Sequence, residues 1–295
     1  MKFNLSTFFQ FKWNVVFFRK LPARICFAYM QAIGKLYYLF FRKEKQLIQQ
    51  NIRDMLFDRP ASYVRQITKE AFKGIFSHYY EKMFSAFKNI QQIRRYVEKR
   101  ITIQNEDLIR TALERGKGVI LVTAHWGAVE FIPWVLSLKN FPISVILKCQ
   151  TEHLKRALSK KAESIDAEMI TCSETSSVFF EAVQSLKRNR LLMTECDEVD
   201  TWRKREGRTI DLFGKKLFYD NTLDILAKRT GAPVVGVFLK RVSKSSYTLI
   251  CEPISTGESG VNTAREALTL WQKYVTQNPE QWYQWKKWGA MKAAS

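Results

Sequence analysis

The stretch from Gly118 to Trp134, GVILVTAHWGAVEFIPW, constrains the fold of this chain more than any other. Four consecutive apolar residues, 119–122, follow a glycine-bounded loop. A continuous apolar run of this length is typical of a parallel-sheet strand that is buried on both faces. Beyond His125 the apolar residues change to helical spacing. The pattern therefore predicts that His125 lies where a buried strand ends and a helix begins, the edge at which open α/β sheets bind ligands.

Four residues separate His125 from Glu130. On one continuous helix the second side chain would lie about 140° past a full turn, so the two would diverge. If the helix begins only after His125, a bend at Gly127 can return the imidazole to the first helical turn. Glu130 would then orient one ring nitrogen and leave the other able to take a proton. A buried structural histidine beside an unrelated glutamate is the alternative.

Other parts of the chain follow the same alternation. Strand-like runs at 143–147, 191–197, 234–239 and 247–251 are interspersed with helical patterns. This order predicts an α/β fold with a mixed, largely parallel central sheet flanked by helices. The expected organisation is an N-terminal helical, membrane-associated segment at 1–45, followed by an α/β domain at 46–295 whose leading helices occupy 46–100.

The charge of the chain points to an anionic partner. Lys and Arg number 48 against 28 acids, a net charge of +20. Residues 1–45 mix aromatic with basic side chains, and Glu44 is their sole acid. A spanning helix needs roughly 18 or more apolar residues with few charges, and no such run exists here. The segment is expected to lie in a membrane interface. Docking on the protein's own core, or a shallow span at about 23–41, are alternatives.

Neither a metal site nor a cofactor is expected from the sequence. The five cysteines are scattered without a C-x-x-C pair, which disfavours metal binding and suits a reducing compartment. The charge alone would permit nucleic-acid binding, but zinc-finger spacing, an RNP-like stretch and a basic zipper are all missing from the sequence. A non-enzymatic membrane adaptor, with His125 and Glu130 purely structural, is a further alternative.

The block His125-Trp-Gly-Ala-Val-Glu130 resembles the H-x4-D/E block of glycerolipid-type acyltransferases. It is most similar to that of the bacterial lipid A late acyltransferases, the lauroyl/myristoyl transferase family of the lysophospholipid-acyltransferase-like superfamily. Later blocks follow in the family's order: LLMTECD at 191–197, TGAPVV at 230–235 and PEQWYQW at 279–285. The likeness runs from about residue 15 to 290. The chain departs from the family at Ala128-Val129 and at Lys148, so another glycolipid or a glycerophospholipid remains a possible acceptor.

The resemblance implies an O-acyltransferase. The donor would be an acyl thioester on acyl carrier protein or CoA, and the acceptor a hydroxyl of an anionic lipid A precursor. His125 would be the general base, oriented by Glu130, while backbone N–H groups near Gly127, together with Lys148, would stabilise the oxyanion. No G-x-S-x-G nucleophile elbow is present, so direct transfer is expected. The site would face the cytoplasmic side of the inner membrane.

Several charged residues are predicted to bind substrate. Lys148 ends a strand and would bind a phosphate. Carboxylates at another strand end would bind sugar hydroxyls or hold arginines, and a group of arginines suits phosphate groups. Each of these side chains has the alternative of being a solvated turn residue. The predicted substrate-binding residues are Lys148, Glu195, Asp197, Arg203, Arg205 and Arg208.

Overall fold

The computed structural model describes residues 5–149, 151–171, 177–198, 207–255 and 262–289. The helices are α1 (Leu5–Phe9), α2 (Lys12–Lys20), α3 (Ala23–Phe40), α4 (Arg42–Met55), α5 (Ala61–Phe87), α6 (Ile90–Arg100), α7 (Asp107–Leu113), α8 (Ile132–Leu138), α9 (Glu152–Ala162), α10 (Val178–Lys187), α11 (Thr222–Thr230) and α12 (Thr263–Gln277). The strands are β1 (Ile101–Gln104), β2 (Val119–Thr123), β3 (Ile143–Ile146), β4 (Ala167–Ile170), β5 (Leu191–Glu195), β6 (Thr209–Leu212), β7 (Lys215–Phe218), β8 (Val234–Arg241) and β9 (Tyr247–Ser255).

Seven of these strands form one sheet in the order β1-β9-β8-β2-β5-β3-β4. Every neighbouring pair is parallel except β8 and β9, which are antiparallel. Strands β6 and β7 form a separate antiparallel hairpin. The predicted mixed, largely parallel sheet flanked by helices is confirmed. The reversal at β9 was not predicted.

Strand β2 lies inside the sheet, between β8 and β5. All five of its residues are buried, as expected for an apolar run that is covered on both faces. In the β2–β5 register Thr123 stands opposite Glu195. Because parallel strands end at the same edge of a sheet, the residues that follow β2 and β5 meet there.

The long helix α5 connects the sheet with both ends of the described chain. Gly34 of α3 lies so close to Phe76 of α5 that a Cβ atom would come within 2.8 Å of its ring. Gly74 on α5 approaches the backbone of Glu280 even more closely, because a Cβ there would lie 2.3 Å from the Glu280 carbonyl oxygen. The missing side chains at these two positions let the three segments pack tightly.

The N-terminal helices have one buried and one exposed face. In α3, Cys26 and Met30 are buried in the core shared with α5, whereas Leu36 and Phe40 are exposed. Among the described residues, none of the helices combines the length and apolarity needed to cross a bilayer. Docking on the protein's own core is thus observed for one face, and membrane association of the other stays a prediction. The predicted boundary at residue 45 falls within α4.

Candidate functional site

His125 lies two residues beyond the end of β2, at the carboxyl edge of the sheet. The chain then bends, forms a 3-10 turn at Val129–Phe131 and continues into α8. The bend needs Gly127, whose φ is +63° and whose position would place a Cβ only 2.0 Å from the carbonyl oxygen of Leu239. The predicted strand-to-helix placement of His125 and the bend at Gly127 are confirmed.

Asp197 holds the imidazole of His125. Its carboxylate is fully buried, and its Oδ1 lies 2.9 Å from His125 Nδ1. The same carboxylate accepts the backbone N–H of His125 and, at 2.7 Å, the indole N–H of Trp282. An ionised carboxylate only accepts hydrogen bonds, so Nδ1 carries the proton and Nε2 is the nitrogen available for chemistry.

Two further carboxylates face Nε2. Glu195 Oε2 is 3.3 Å from it and Glu198 Oε1 is 3.1 Å from it. The other oxygen of Glu198 accepts a hydrogen bond from Lys287 at 2.9 Å. The His125 side chain is 12% exposed, so the ring is accessible although it is largely enclosed.

The three carboxylates set the protonation of the site. Burial alone would lower the pKa of His125, but the negative charges of Glu195 and Asp197, with hydrogen bonds to Asp197 and Glu198, hold that pKa well above its usual range. Burial raises the pKa of Glu195 to about 7 against the opposing effect of His125. The hydrogen bond to His125 lowers the pKa of Glu198 to about 2 despite its burial. Glu195 is therefore the carboxylate that can exchange a proton near neutral pH.

Glu130 faces α5 rather than His125. Its Oε1 lies 3.7 Å from His78 Nε2 and 3.9 Å from Lys82 Nζ. In the part of the chain that the structure describes, no hydrogen bond or ion pair joins Glu130 to His125. The reason is local, because Val129–Phe131 forms a 3-10 turn packed against α5, while Asp197 already occupies Nδ1. The hydrogen bond predicted between these two residues is absent from the structure.

His125 and Glu130 nevertheless line one cavity of about 600 Å³. That volume falls within the range of small-molecule sites, roughly 300–1,000 Å³. Tyr283 connects the two parts of its wall, since its ring stacks on His78 at 3.7 Å and meets His125 edge-on at 5.3 Å. Most of the remaining wall is apolar and includes Phe72, Ile75, Phe76, Val129, Trp134, Val145, Leu147, Leu154, Leu158, Met169 and Met193.

The other predicted site residues are distributed unequally. Lys148 is exposed and lines the same cavity. Arg208 forms an ion pair with Asp224 of α11 and is not part of the cavity wall. Arg203 and Arg205 lie outside the described residues. The N–H of Gly127, predicted to stabilise an oxyanion, donates instead to the carbonyl of Gln281 at 3.0 Å.

The sequence did not identify several residues of this site. Glu198 directly follows Asp197, and a third acid at a strand end was the available signal. Trp282, Tyr283 and Lys287 come from the C-terminal aromatic and basic segment, and nothing in its composition indicates contact with His125.

The groups at Nε2 also have the composition of a metal site. His125, Glu195 and Glu198 each offer one ligand atom, and these atoms lie within 4.8 Å of one another. A carboxylate on the second ring nitrogen, as Asp197 provides, is the usual partner of a metal-bound histidine. The same contacts equally suit hydrogen bonds around a protonated imidazole.

Comparison with known proteins assigns the chain to a family. No curated protein matches the chain. A family model does match, over residues 7–287, and its description is bacterial lipid A biosynthesis acyltransferase. Because the match covers nearly the whole chain, including every residue of the site, the protein belongs to the bacterial lipid A biosynthesis acyltransferase family.

Proposed function

We propose that this protein transfers a fatty acyl chain from an acyl thioester, on acyl carrier protein or CoA, to a hydroxyl of a lipid A precursor. Membership of the family supports acyltransferase activity. The single observation that carries the mechanism is the geometry of His125. A buried carboxylate, Asp197, engages Nδ1, and His125 lines a cavity whose wall combines apolar with charged side chains.

In the proposed reaction His125 acts as general base. Nε2 takes the proton of the acceptor hydroxyl as its oxygen attacks the thioester carbonyl carbon, which gives a tetrahedral oxyanion. Collapse of this intermediate forms the ester and expels the thiolate, which takes the proton from the imidazolium. Atoms and charge balance without an enzyme-bound acyl group, in agreement with the missing nucleophile elbow.

A base must first be unprotonated, whereas the carboxylates that raise the pKa of His125 favour the protonated ring. Glu198 lies closest to Nε2, but with a pKa of about 2 it remains ionised. Glu195, with a pKa of about 7, is the better acceptor. An acyl chain that displaces water from the cavity would favour the neutral imidazole and carboxylic acid over the ion pair, since desolvation penalises charges.

Two predicted roles are refined by the geometry. The contacts support Asp197, rather than Glu130, as the group that orients His125. For the oxyanion, Lys148 is exposed and lines the cavity, whereas the Gly127 N–H would first have to leave the Gln281 carbonyl. The location of Lys148 therefore supports it over Gly127.

We further propose that the protein lies on an anionic membrane surface, the cytoplasmic face of the inner membrane. Exposed apolar side chains on α2 to α4, and on the residues directly before α2 and α4, support this orientation, and basic residues are interspersed among them. Binding to vesicles that contain anionic lipid should weaken as salt rises, and equal binding to neutral vesicles would contradict the proposal. The exposed apolar residues are Phe11, Trp13, Val16, Ile25, Leu36, Leu39, Phe40, Phe41 and Leu47.

The decisive experiment for the function is acyl transfer by purified protein, with acyl carrier protein or CoA thioesters as donors and mass spectrometry of the product. His125→Ala should reduce transfer by a factor of at least about 10³, because the base is lost. His153→Ala is the matched control, since that histidine is exposed, stacks on Phe87 and does not line the cavity. Wild-type activity in folded His125→Ala protein would refute the mechanism.

The choice of acceptor distinguishes the two enzymatic alternatives. A lipid A precursor and a lysoglycerophospholipid should be offered separately, each with the same donor. Acylation of the first alone supports the proposal. Acylation of the second alone would assign the same chemistry to a glycerophospholipid, as the departures at Ala128-Val129 and Lys148 would allow.

A further inference from the structure

A buried ion pair lies directly behind the turn that carries His125. Arg241, the last residue of β8, donates through Nε and Nη2 to the two carboxylate oxygens of Glu81 on α5, each at 2.7 Å. Glu81 is 1% exposed, and the Arg241 side chain is 12% exposed. Neither residue lines the cavity, so neither is available to substrate.

The same arginine contacts the turn itself. Its Nη2 also donates to the carbonyl oxygen of Gly127, two residues after His125. Its backbone N–H donates to the side-chain oxygen of Gln281 at 2.8 Å, and its carbonyl accepts the side-chain N–H of Gln281 at 3.1 Å. Arg241 is thus the point at which α5, β8, the turn and the C-terminal segment meet.

Three further backbone hydrogen bonds join the turn to those same segments. The Gly127 N–H donates to the Gln281 carbonyl, and the Ala128 N–H to the Leu239 carbonyl at 2.8 Å. The carbonyl of His125 accepts the N–H of Tyr283 at 3.1 Å. A shift of Arg241 would therefore displace both the turn and the C-terminal segment that contacts His125.

A buried ion pair of this kind is weak evidence of a role in stability. Replacing both partners of a buried ion pair by apolar residues of similar volume is often neutral or stabilising, because the desolvation penalty disappears with the charges. A planar guanidinium, by contrast, fixes several acceptors at once in a defined geometry. The pair is better suited to holding one conformation of the turn than to stabilising the fold.

We propose that Arg241, anchored by Glu81, is a positioning residue that holds the turn after His125 so that the imidazole stays aligned with Asp197 and with substrate. The inference rests on the proposed role of His125 as a base. It predicts that loosening the anchor impairs the chemical step more than substrate binding, and that it alters the titration of His125.

The test uses the full chain with both partners replaced, Glu81→Leu together with Arg241→Met, so that no buried charge is left unpaired. This variant should fold, and its kcat should fall on the order of 10²-fold, the effect of a misplacement of about 1 Å. Its KM should stay within about threefold of wild type, since ground-state binding is unaffected. In NMR titrations the His125 resonances should change at lower pH than in wild type, because contact with Asp197 is weakened.

Arg190→Met is the matched control. Arg190 is also a buried arginine, but it bonds Ser144, the Ile143 carbonyl and the Asp166 carbonyl at the far side of the sheet. The Arg190→Met variant should leave kcat and the His125 titration unchanged. Arg241→Lys, which keeps the charge and loses the fork, should fall between wild type and the double variant, and it replaces the double variant should that one fail to fold.

Wild-type kcat and an unchanged His125 titration in folded double variant would overturn the proposal. The NMR titration needs no substrate. If wild-type protein transfers no acyl chain to any acceptor, the proposed function fails, and the titration still decides whether Arg241 positions the imidazole.

Discussion

The cavity has two histidines in its wall, and their surroundings are opposite. His125, at the sheet edge, faces Asp197, Glu195 and Glu198, and its pKa is raised well above the usual range. His78, on α5, is buried, and burial together with the charges of Lys82 and Arg241 lowers its pKa far below that range. Tyr283 separates the two rings.

The difference shows why a histidine in a cavity is not by itself a base. The Nδ1 atom of His78 is buried without a hydrogen-bond partner in the described structure, so no hydrogen bond at that nitrogen fixes its tautomer. Nδ1 of His125 is fixed by a fully buried carboxylate. Only at His125 do a defined tautomer and an accessible second nitrogen occur together, which is what general-base catalysis needs.

The largest effect should follow from removing the carboxylate that distinguishes the two histidines. Asp197→Asn should lower kcat on the order of 10³-fold or more, because an amide can hold the imidazole in the wrong tautomer. ¹⁵N NMR should show a changed tautomer at His125. Glu130→Gln is the paired variant, and it should leave the His125 resonances in place while it alters those of His78, which Glu130 faces. The reverse pattern would restore Glu130 as the orienting acid.

The second comparison concerns the charge around Nε2. With the His125 pKa raised, the neutral imidazole forms only as pH increases, so kcat/KM should rise across the alkaline side of pH 6.5. Glu195→Gln removes one of the charges that raise the pKa of His125. In this variant kcat/KM should therefore rise at a lower pH than in wild type. Lys287→Met removes a lysine that bonds Glu198 and should shift this rise in kcat/KM less. A profile that Glu195→Gln leaves unchanged would contradict the role given to Glu195.

The main features of the fold could be predicted from the sequence because they depend on local pattern. As a strand, the apolar run at 119–122 pairs its backbone and buries both faces in the interior of a sheet, which is where β2 lies. The reversal of β9 could also have been predicted, because the few residues between Arg241 and Tyr247 are too short for the crossover that parallel neighbours need, and so short a connection indicates an antiparallel hairpin.

The site could be predicted only in part, because its decisive contact joins residues that are distant in sequence. His125, Glu195 and Asp197 were identified as residues at strand ends, but Asp197 was expected to bind substrate. Its bond to His125 joins residues 72 positions apart and depends on β2 and β5 being neighbours. Glu130 was preferred as the partner because it is near in sequence, yet the 3-10 turn between them directs it to α5.

The smallest expected effect is on stability, because the contributions of the two histidines to the free energy of unfolding should depend on pH in opposite directions. Folded His78 has a pKa below its unfolded value. Its contribution to the free energy of unfolding is therefore present above pH 6.5 and is lost as pH falls. Folded His125 has a raised pKa, so its contribution is present below pH 6.5 and is lost as pH rises through the folded pKa. Each slope can reach about 1.4 kcal/mol per pH unit.

Denaturant unfolding across pH should therefore separate two variants. His78→Gln should flatten the decline in unfolding free energy on the acid side, and His125→Gln should flatten the decline on the alkaline side. His153→Gln, at an exposed position, is the control for removing a histidine. If His78→Gln and His125→Gln changed the same limb of the curve, the two histidines could not have opposite pKa shifts, and the contrast between the two sides of the cavity would be wrong.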